Sequence, residues 1–215
     1  MIGKKINLAV FFLLTAFFIS SCSAPQTTVT PQVVYVYSTF AAEPWLSALY
    51  DCSGTSSILS RVDDASSADI GLRVGEPKVL TSSAYQIDSE DILIVTHRQS
   101  PVQNLTLEQA RALFAGQGDA SVQVWVYASE EDVQEVFDQF VMAGLRVTSS
   151  AHLAVTPQQM SDTLVNESNT VGILPRHWKA GDDREVFMVA TVPVLALTNS
   201  EPQGVIKELI ACLQK

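Results

Sequence analysis

Three features of the 215-residue chain predict an α/β fold. Apolar, strand-like runs alternate with capped amphipathic helices from Gln32 to the C-terminus. The run Ile92, Leu93, Ile94, Val95 is continuously apolar and mostly β-branched, as in a strand buried on both faces. That strand leads through the polar stretch His97–Asn104 into a helix whose start and stop are both signalled. Thr106 and Gln109 stand at capping-box spacing, Leu105 and Ala110 can close a hydrophobic staple, and Leu107, Ala110, Leu113 and Phe114 share one face. Gly116 supplies a left-handed stop.

The N-terminus carries an address. Lys4 and Lys5 precede an apolar run from Leu8 to Ile19, followed by Ser20, Ser21 and Cys22. This order is that of an export signal, and its apolar core is short for a membrane span. Ile19, Ser20, Ser21, Cys22 resembles a bacterial lipobox, in which cleavage precedes the cysteine and the thiol is lipidated, for example with palmitate; the plainer reading is an ordinary signal with an incidental cysteine. On the lipobox reading residues 1–21 are the signal and 22–32, uncharged and holding two prolines, are a lipidated tether. Such a segment reaches roughly 15–20 Å as a flexible coil. The expected location is the extracytoplasmic face of the cell membrane, through lipid alone.

Loss of Lys4 and Lys5 with the signal leaves 11 basic and 23 acidic residues, a net charge of −12. No nucleic-acid partner is expected on that balance, since phosphate backbones are met by clustered Lys and Arg. A local anion site is not, because a positive spot can sit on an acidic surface. Cys52 and Cys212 remain in a disulfide-permissive compartment, either bridged or as two small buried hydrophobes.

Asn104, Leu105, Thr106, then Gln109, Leu113, Phe114 and Gly116, resembles the first inter-lobe crossing of type II periplasmic binding proteins. The likeness is to the phosphate-binding-protein-like branch of ABC-transporter receptors. That resemblance implies two α/β lobes joined at a hinge around an inter-lobe cleft. Lobe one would be 33–95 with 190–215, and lobe two 96–189; Cys52 and Cys212 would then share the first lobe.

Within lobe one, Gln32–Tyr37 alternates as a strand, and Ser38, Thr39, Phe40 lead into a helix around Trp45, Leu46 and Leu49. A hydroxyl-bearing turn at the carboxyl end of a strand lies where α/β sheets bind ligands. Ser38, Thr39, Phe40 is similar to the turn that grips the oxyanion in phosphate-binding receptors, though either hydroxyl could simply cap the helix. Ile58–Val62 and Ile70–Val74 read as further strands with little room for a helix between them, so the first lobe is abbreviated. Ala68, Asp69, Ile70 resembles a ligand-proximal family segment. It makes Asp69 a candidate, with Arg73 its neighbour, against the alternative of a solvated turn residue and an outward strand charge.

In lobe two, Val122–Tyr127 alternates as a strand, and Ser129 opens a helix bearing Val133, Val136, Phe137, Phe140 and Val141, ended by Gly144. Phosphate-binding members have an arginine and a Ser-Gly-Thr cluster at this point. Here Ala128, Ser129, Glu130, Glu131 and Asp132 stand instead. Three carboxylates in the first turn already complement the helix dipole and repel phosphate, so Ser129 with Asp132 reads as a cap. A strand is expected within Arg146–Val155, and a helix from Thr156, Pro157 and Gln159. The strand Thr170–Leu174 has Val171, Gly172, Ile173 and Pro175 matching a family pattern. Its glycine allows either close backbone approach to a ligand or plain packing. Val186–Leu197, broken by Pro193, returns to lobe one. A final helix capped by Ser200 and Gln203 buries Val205, Ile206, Leu209, Ile210 and Leu213.

No Gly-x-Ser-x-Gly elbow, P-loop, Gly-x-Gly-x-x-Gly or His/Cys metal spacing occurs, so no enzyme, metal or cofactor is expected. His97, beside Arg98 in the crossing stretch, is either a cleft residue or a solvent-facing one. The expectation is a lipid-anchored receptor presenting a small ligand, with an oxyanion among the candidates, to an ABC permease. The ligand set is Ser38, Thr39, Phe40, Asp69, Arg73, Arg98 and Ser129. The alternative is a surface adaptor or sensor that has kept the lobes and lost transport.

Overall fold

The computed structural model describes residues 30–81 and 83–215. The export signal, Cys22 and most of the tether lie outside these residues.

The first three strands, β1 (Gln32–Ser38), β2 (Ser57–Arg61) and β3 (Ile70–Val74), are parallel, with β1 in the middle. Helix α1 (Glu43–Cys52) joins β1 to β2 and buries Trp45, Leu46 and Leu49. It lies over the face carrying Val34, Val36, Ile70, Leu72 and Val74, all fully buried. Between β2 and β3 there is only a three-residue 3-10 turn, Ala65–Ser67, as the short spacing predicts. Among the described residues no helix covers the opposite sheet face at β1 and β2, and Val33, Tyr35 and Ile58 there are 47%, 46% and 54% exposed.

Two long antiparallel strands, β4 (Ser83–Thr96) and β8 (Arg184–Thr198), pair with each other along their length. The carboxyl half of β8 also pairs with β3, and Ile92–Thr96 of β4 pairs with β7 (Thr170–Pro175). All eight strands thus form one sheet, β2-β1-β3-β8-β4-β7-β5-β6. The chain changes sheet partners near Asp91–Ile92, inside a hydrogen-bonded ladder, rather than in the polar stretch His97–Asn104. Register shifts at Gln86/Asp88, Ile92/Leu93 and Ile94/Val95 mark where the ladder is irregular. Ile92–Val95, all fully buried, sit in the second half of the sheet.

That half is built from α2 (Leu107–Ala112), β5 (Gln123–Val126), α3 (Asp132–Phe137), β6 (His152–Leu153), α4 (Pro157–Asn166) and β7. The Thr106–Gln109 capping box forms in both directions. Gly116 has φ +80°, and a Cβ there would meet Thr148 Oγ1 at 2.8 Å. Thr156 caps α4 through the Gln159 N–H with Pro157 at its first position. A Cβ at Gly172 would strike the Met160 sulfur, so this glycine serves helix-on-strand packing rather than ligand approach.

Two local expectations are corrected, and a third is met by a shorter element. Ser129 does not cap α3: its hydroxyl donates to Glu130, and the residue preceding the helix, Glu131, makes no side-chain cap. The strand expected within Arg146–Val155 shrinks to two residues. Neither Ser200 nor Gln203 caps the last helix, α5 (Gly204–Leu213), through its side chain; Thr198 Oγ1 donates instead to the Ser200 carbonyl. Cys52 at the end of α1 and Cys212 near the end of α5 are disulfide-bonded, which resolves the alternative left open by their count. Helices α1 and α5 pack together above the first half of the sheet.

Candidate functional site

Strand order places the site. In β2-β1-β3 the connections leave β1 toward opposite sides, and in β7-β5-β6 the same holds for β5. Each carboxyl end is a topological switch point, where open α/β sheets leave a crevice. Beyond β1 the crevice residues are Ser38–Ala42, and beyond β5 they are Tyr127–Glu131.

A carboxylate joins the two points. Thr39 Oγ1 donates to Asp132 Oδ2 at 2.6 Å, and the Val74 N–H donates to the same oxygen at 2.8 Å. Asp132 Oδ1 accepts from the Val133 N–H at 2.9 Å. The turn holding Thr39 is itself pinned by its N–H donating to the Leu72 carbonyl at 3.0 Å. Asp132 is 2% exposed. Burial pushes its carboxyl above the ordinary value, against the pull of the Thr39 and Val74 donors and the Arg73 charge.

Further bonds tie the halves on either side. Arg73 pairs with Glu135 of α3 at 2.9 Å, and Lys78 reaches the same carboxylate at 3.5 Å. The Trp178 indole N–H donates to the Ala41 carbonyl at 3.1 Å. His177 Nδ1 lies 2.6 Å from Glu90, and its ring sits 4.7 Å from that of Trp45. Burial raises the Glu90 carboxyl while His177 draws it back.

Beside Asp132 is a cavity of about 250 Å³ lined by Tyr37, Thr39, Arg73, Glu130, Asp132 and Asn199, among others. Groups from both halves of the sheet thus meet in it. Burial, then the nearby Glu131 and Asp132 charges, raise the Tyr37 phenol; burial, then Asp132 and Glu130, raise the Glu131 carboxyl. A more open hollow of about 430 Å³, lined by Tyr127, Ser129, Gln134, Asp138 and Arg146 among others, lies at the carboxyl ends of β5 and β6.

The sequence-predicted ligand set is only partly gathered. Thr39 and Arg73 line the smaller cavity. Ser38 is buried and donates to the Thr39 carbonyl at 2.9 Å, while Phe40 is partly exposed beside the turn. Asp69 accepts the Tyr35 N–H at 2.9 Å at the amino end of β3, serving the β1–β3 edge. Arg98 pairs with Asp182 at 2.6 Å, and its carbonyl accepts from Arg184, outside the cavity. Ser129 lines the larger hollow. His97 Nδ1 accepts the Gln99 N–H in a local turn. Spacing gives no site signal for Tyr37, Val74, Glu135, Glu90 or Trp178, because the groups each meets there lie far away in sequence. Among the described residues no group of His, Cys, Asp or Glu is placed to hold a metal ion, and no helix is long and apolar enough to cross a membrane.

Solved structures share this architecture. One described as a phosphate ABC transporter substrate-binding protein with bound phosphate, from Clostridium perfringens, superposes with a TM-score of 0.73 at 15% identity. The match covers 85% of this chain and 93% of that one. The chain has the type II periplasmic-binding-protein fold. An ABC-type phosphate transport receptor from Vibrio cholerae matches over the same shares at TM-score 0.63 and 15% identity. The OxyR2 regulatory domain from Vibrio vulnificus also matches, at 0.62 and 8%, over 89% of this chain and 97% of that one. The type II fold is therefore common here to transport receptors and a regulatory domain. No protein-family model and no curated protein sequence matches the chain.

Proposed function

We propose that the protein is a lipid-anchored, extracytoplasmic solute-binding protein that captures a small ligand between its lobes for an ABC-type permease. The cavity between Tyr37, Arg73, Glu130 and Asn199 carries this reading, since it lies beside facing switch points and is lined from both halves of the sheet. Its volume is below the roughly 300–1,000 Å³ of ordinary ligand pockets, which limits the solute to a small one. Arg73 is already paired with Glu135, whereas Glu130 and Asp132 line the cavity. An uncharged polar or cationic solute suits that lining better than free phosphate.

Thermal shift of the tether-free domain across polyols, amines, amino acids and oxyanions tests the proposal. A matching solute at about 100 times its Kd raises Tm by roughly 5–10 °C. A panel without any response removes the receptor reading.

A second reading has its own support. Asp132, Glu135, His177 and Trp178 join the lobes through direct protein contacts, which favours an adaptor or sensor that does not transport. Small-angle scattering distinguishes the two: a receptor changes radius with its solute, and a locked adaptor does not. The lipid anchor is tested separately by Cys22→Ala, which is expected to move the protein from the membrane fraction to the soluble one. Unchanged membrane association would refute the anchor.

A further inference from the structure

Thr39 and Val74 make a small pocket of hydrogen-bond donors at the ends of β1 and β3. The hydroxyl and the main-chain N–H converge on one oxygen at 2.6 and 2.8 Å, and the atom they meet belongs to a side chain 93 residues away from Thr39. A buried carboxylate is tolerated only where such donors replace lost water. These donors are furnished by the first half of the sheet, whereas the carboxylate is furnished by the second. The surrounding charges are arranged in keeping with a single negative occupant. Arg73 lies beside Asp132 but is paired with Glu135, which Lys78 also reaches, and Glu130 and Glu131 precede Asp132 on its own segment. Tyr37 from β1 and Tyr127 from the end of β5 lie near enough to feel the charge of the same carboxylate, which helps to raise both phenols after burial.

We infer that Asp132 is a tethered anion: it fills a pocket made for one carboxylate, fastens the lobes together there, and makes the native protein unresponsive to free carboxylates and oxyanions. Asp132 is in this sense a specificity-determining residue. Shortening it uncovers a site for a small monocarboxylate, formate fitting better than acetate. Phosphate and sulfate stay excluded, because they are larger and meet Glu130 and Glu131. The inference stands on the Thr39, Val74 and Asp132 geometry and does not depend on the receptor reading. A solute screen on the native chain can fail while this site is confirmed, and the reverse also holds.

The experiment is chemical rescue of Asp132→Ala, with sodium chloride matching ionic strength. Formate at 100 mM is expected to raise the Tm of the variant by about 3–6 °C. Acetate should raise it less, and phosphate and chloride should leave it unmoved. The native protein should shift by less than about 1 °C in formate. Adding Thr39→Val to Asp132→Ala should abolish the response, which a general salt effect would not do. If Asp132→Ala does not fold alone, refolding should succeed in formate and fail in chloride. Asp132→Asn, which keeps a carbonyl for both donors, should fold and ignore formate. The inference is overturned by a formate-insensitive Asp132→Ala that neither shifts nor refolds. A native protein that responds equally, or a response that survives Thr39→Val, overturns it as well.

Discussion

Replacing Cys52 and Cys212 together by serine is expected to lower Tm by about 10 °C, the largest loss any two-residue change outside the core should cause. The bond closes a loop of 160 residues between the ends of α1 and α5. Cross-links of that span typically contribute about 2–5 kcal/mol, chiefly by narrowing the unfolded ensemble. Both helices cover the same side of the first half of the sheet, so the whole second half is an excursion inside the closed loop. Without the bond, α5 is held by its apolar face, chiefly Leu209 and Ile210, and by the Gln214 side-chain amide donating to the Gln86 carbonyl. Melting curves with and without reductant check this, and a shift under about 2 °C would show that packing alone holds α5.

Thr39→Val is the second large effect, and its size should depend on pH. The valine removes one donor from a buried carboxylate, which costs about 1–3 kcal/mol when the acid is ionised and about 0.5–1.5 kcal/mol when it is neutral. Asp132 is raised above 3.8 by burial. A carboxyl with a raised folded value favours the folded state most at pH below the unfolded value. That contribution declines as pH climbs through the folded value. Loss of the Thr39 hydroxyl pushes the folded value higher still. The gap between native protein and variant is therefore smallest below about pH 4 and reaches its full size at neutral pH. Urea melts from pH 3.5 to 7.5 measure it; a constant gap would mean that the hydroxyl does not act through the carboxylate. In Asp132→Asn the pH dependence of the gap should vanish.

Much of the fold was legible because its signals are local. Ile70–Val74 alternates cleanly and forms β3 with those bounds, and the Thr106–Gln109 and Thr156–Gln159 caps are each complete within four residues. The amino half of β4 was not legible. Ser83–Asp91 is largely polar, with Ile87 and Glu90 its buried positions. It becomes strand because β8 supplies its hydrogen bonds, and β8 lies about a hundred residues downstream. The contacts around Thr39 were not legible for the same reason. The spacing predicts that the acidic turn Glu130–Asp132 caps its helix, whereas the Asp132 carboxylate accepts from the Thr39 hydroxyl and the Val74 N–H. That outcome depends on the distance from Thr39 across the cleft, which no spacing encodes. Ser129 looked like a cap because its offset from Asp132 is right, but Asp132 turns its carboxylate to the opposite lobe.

The pairing of β4 with β8 also sets how the lobes can move. Two separate single-chain tethers would let one lobe swivel, twist and slide against the other. Here they are laced into a ribbon, which resists shear in its own plane and yields across its flat side, at the irregular steps near Asp88 and Leu93. Flexing about that ribbon is therefore the expected softest motion between the lobes, one that would draw Thr39 and Asp132 apart.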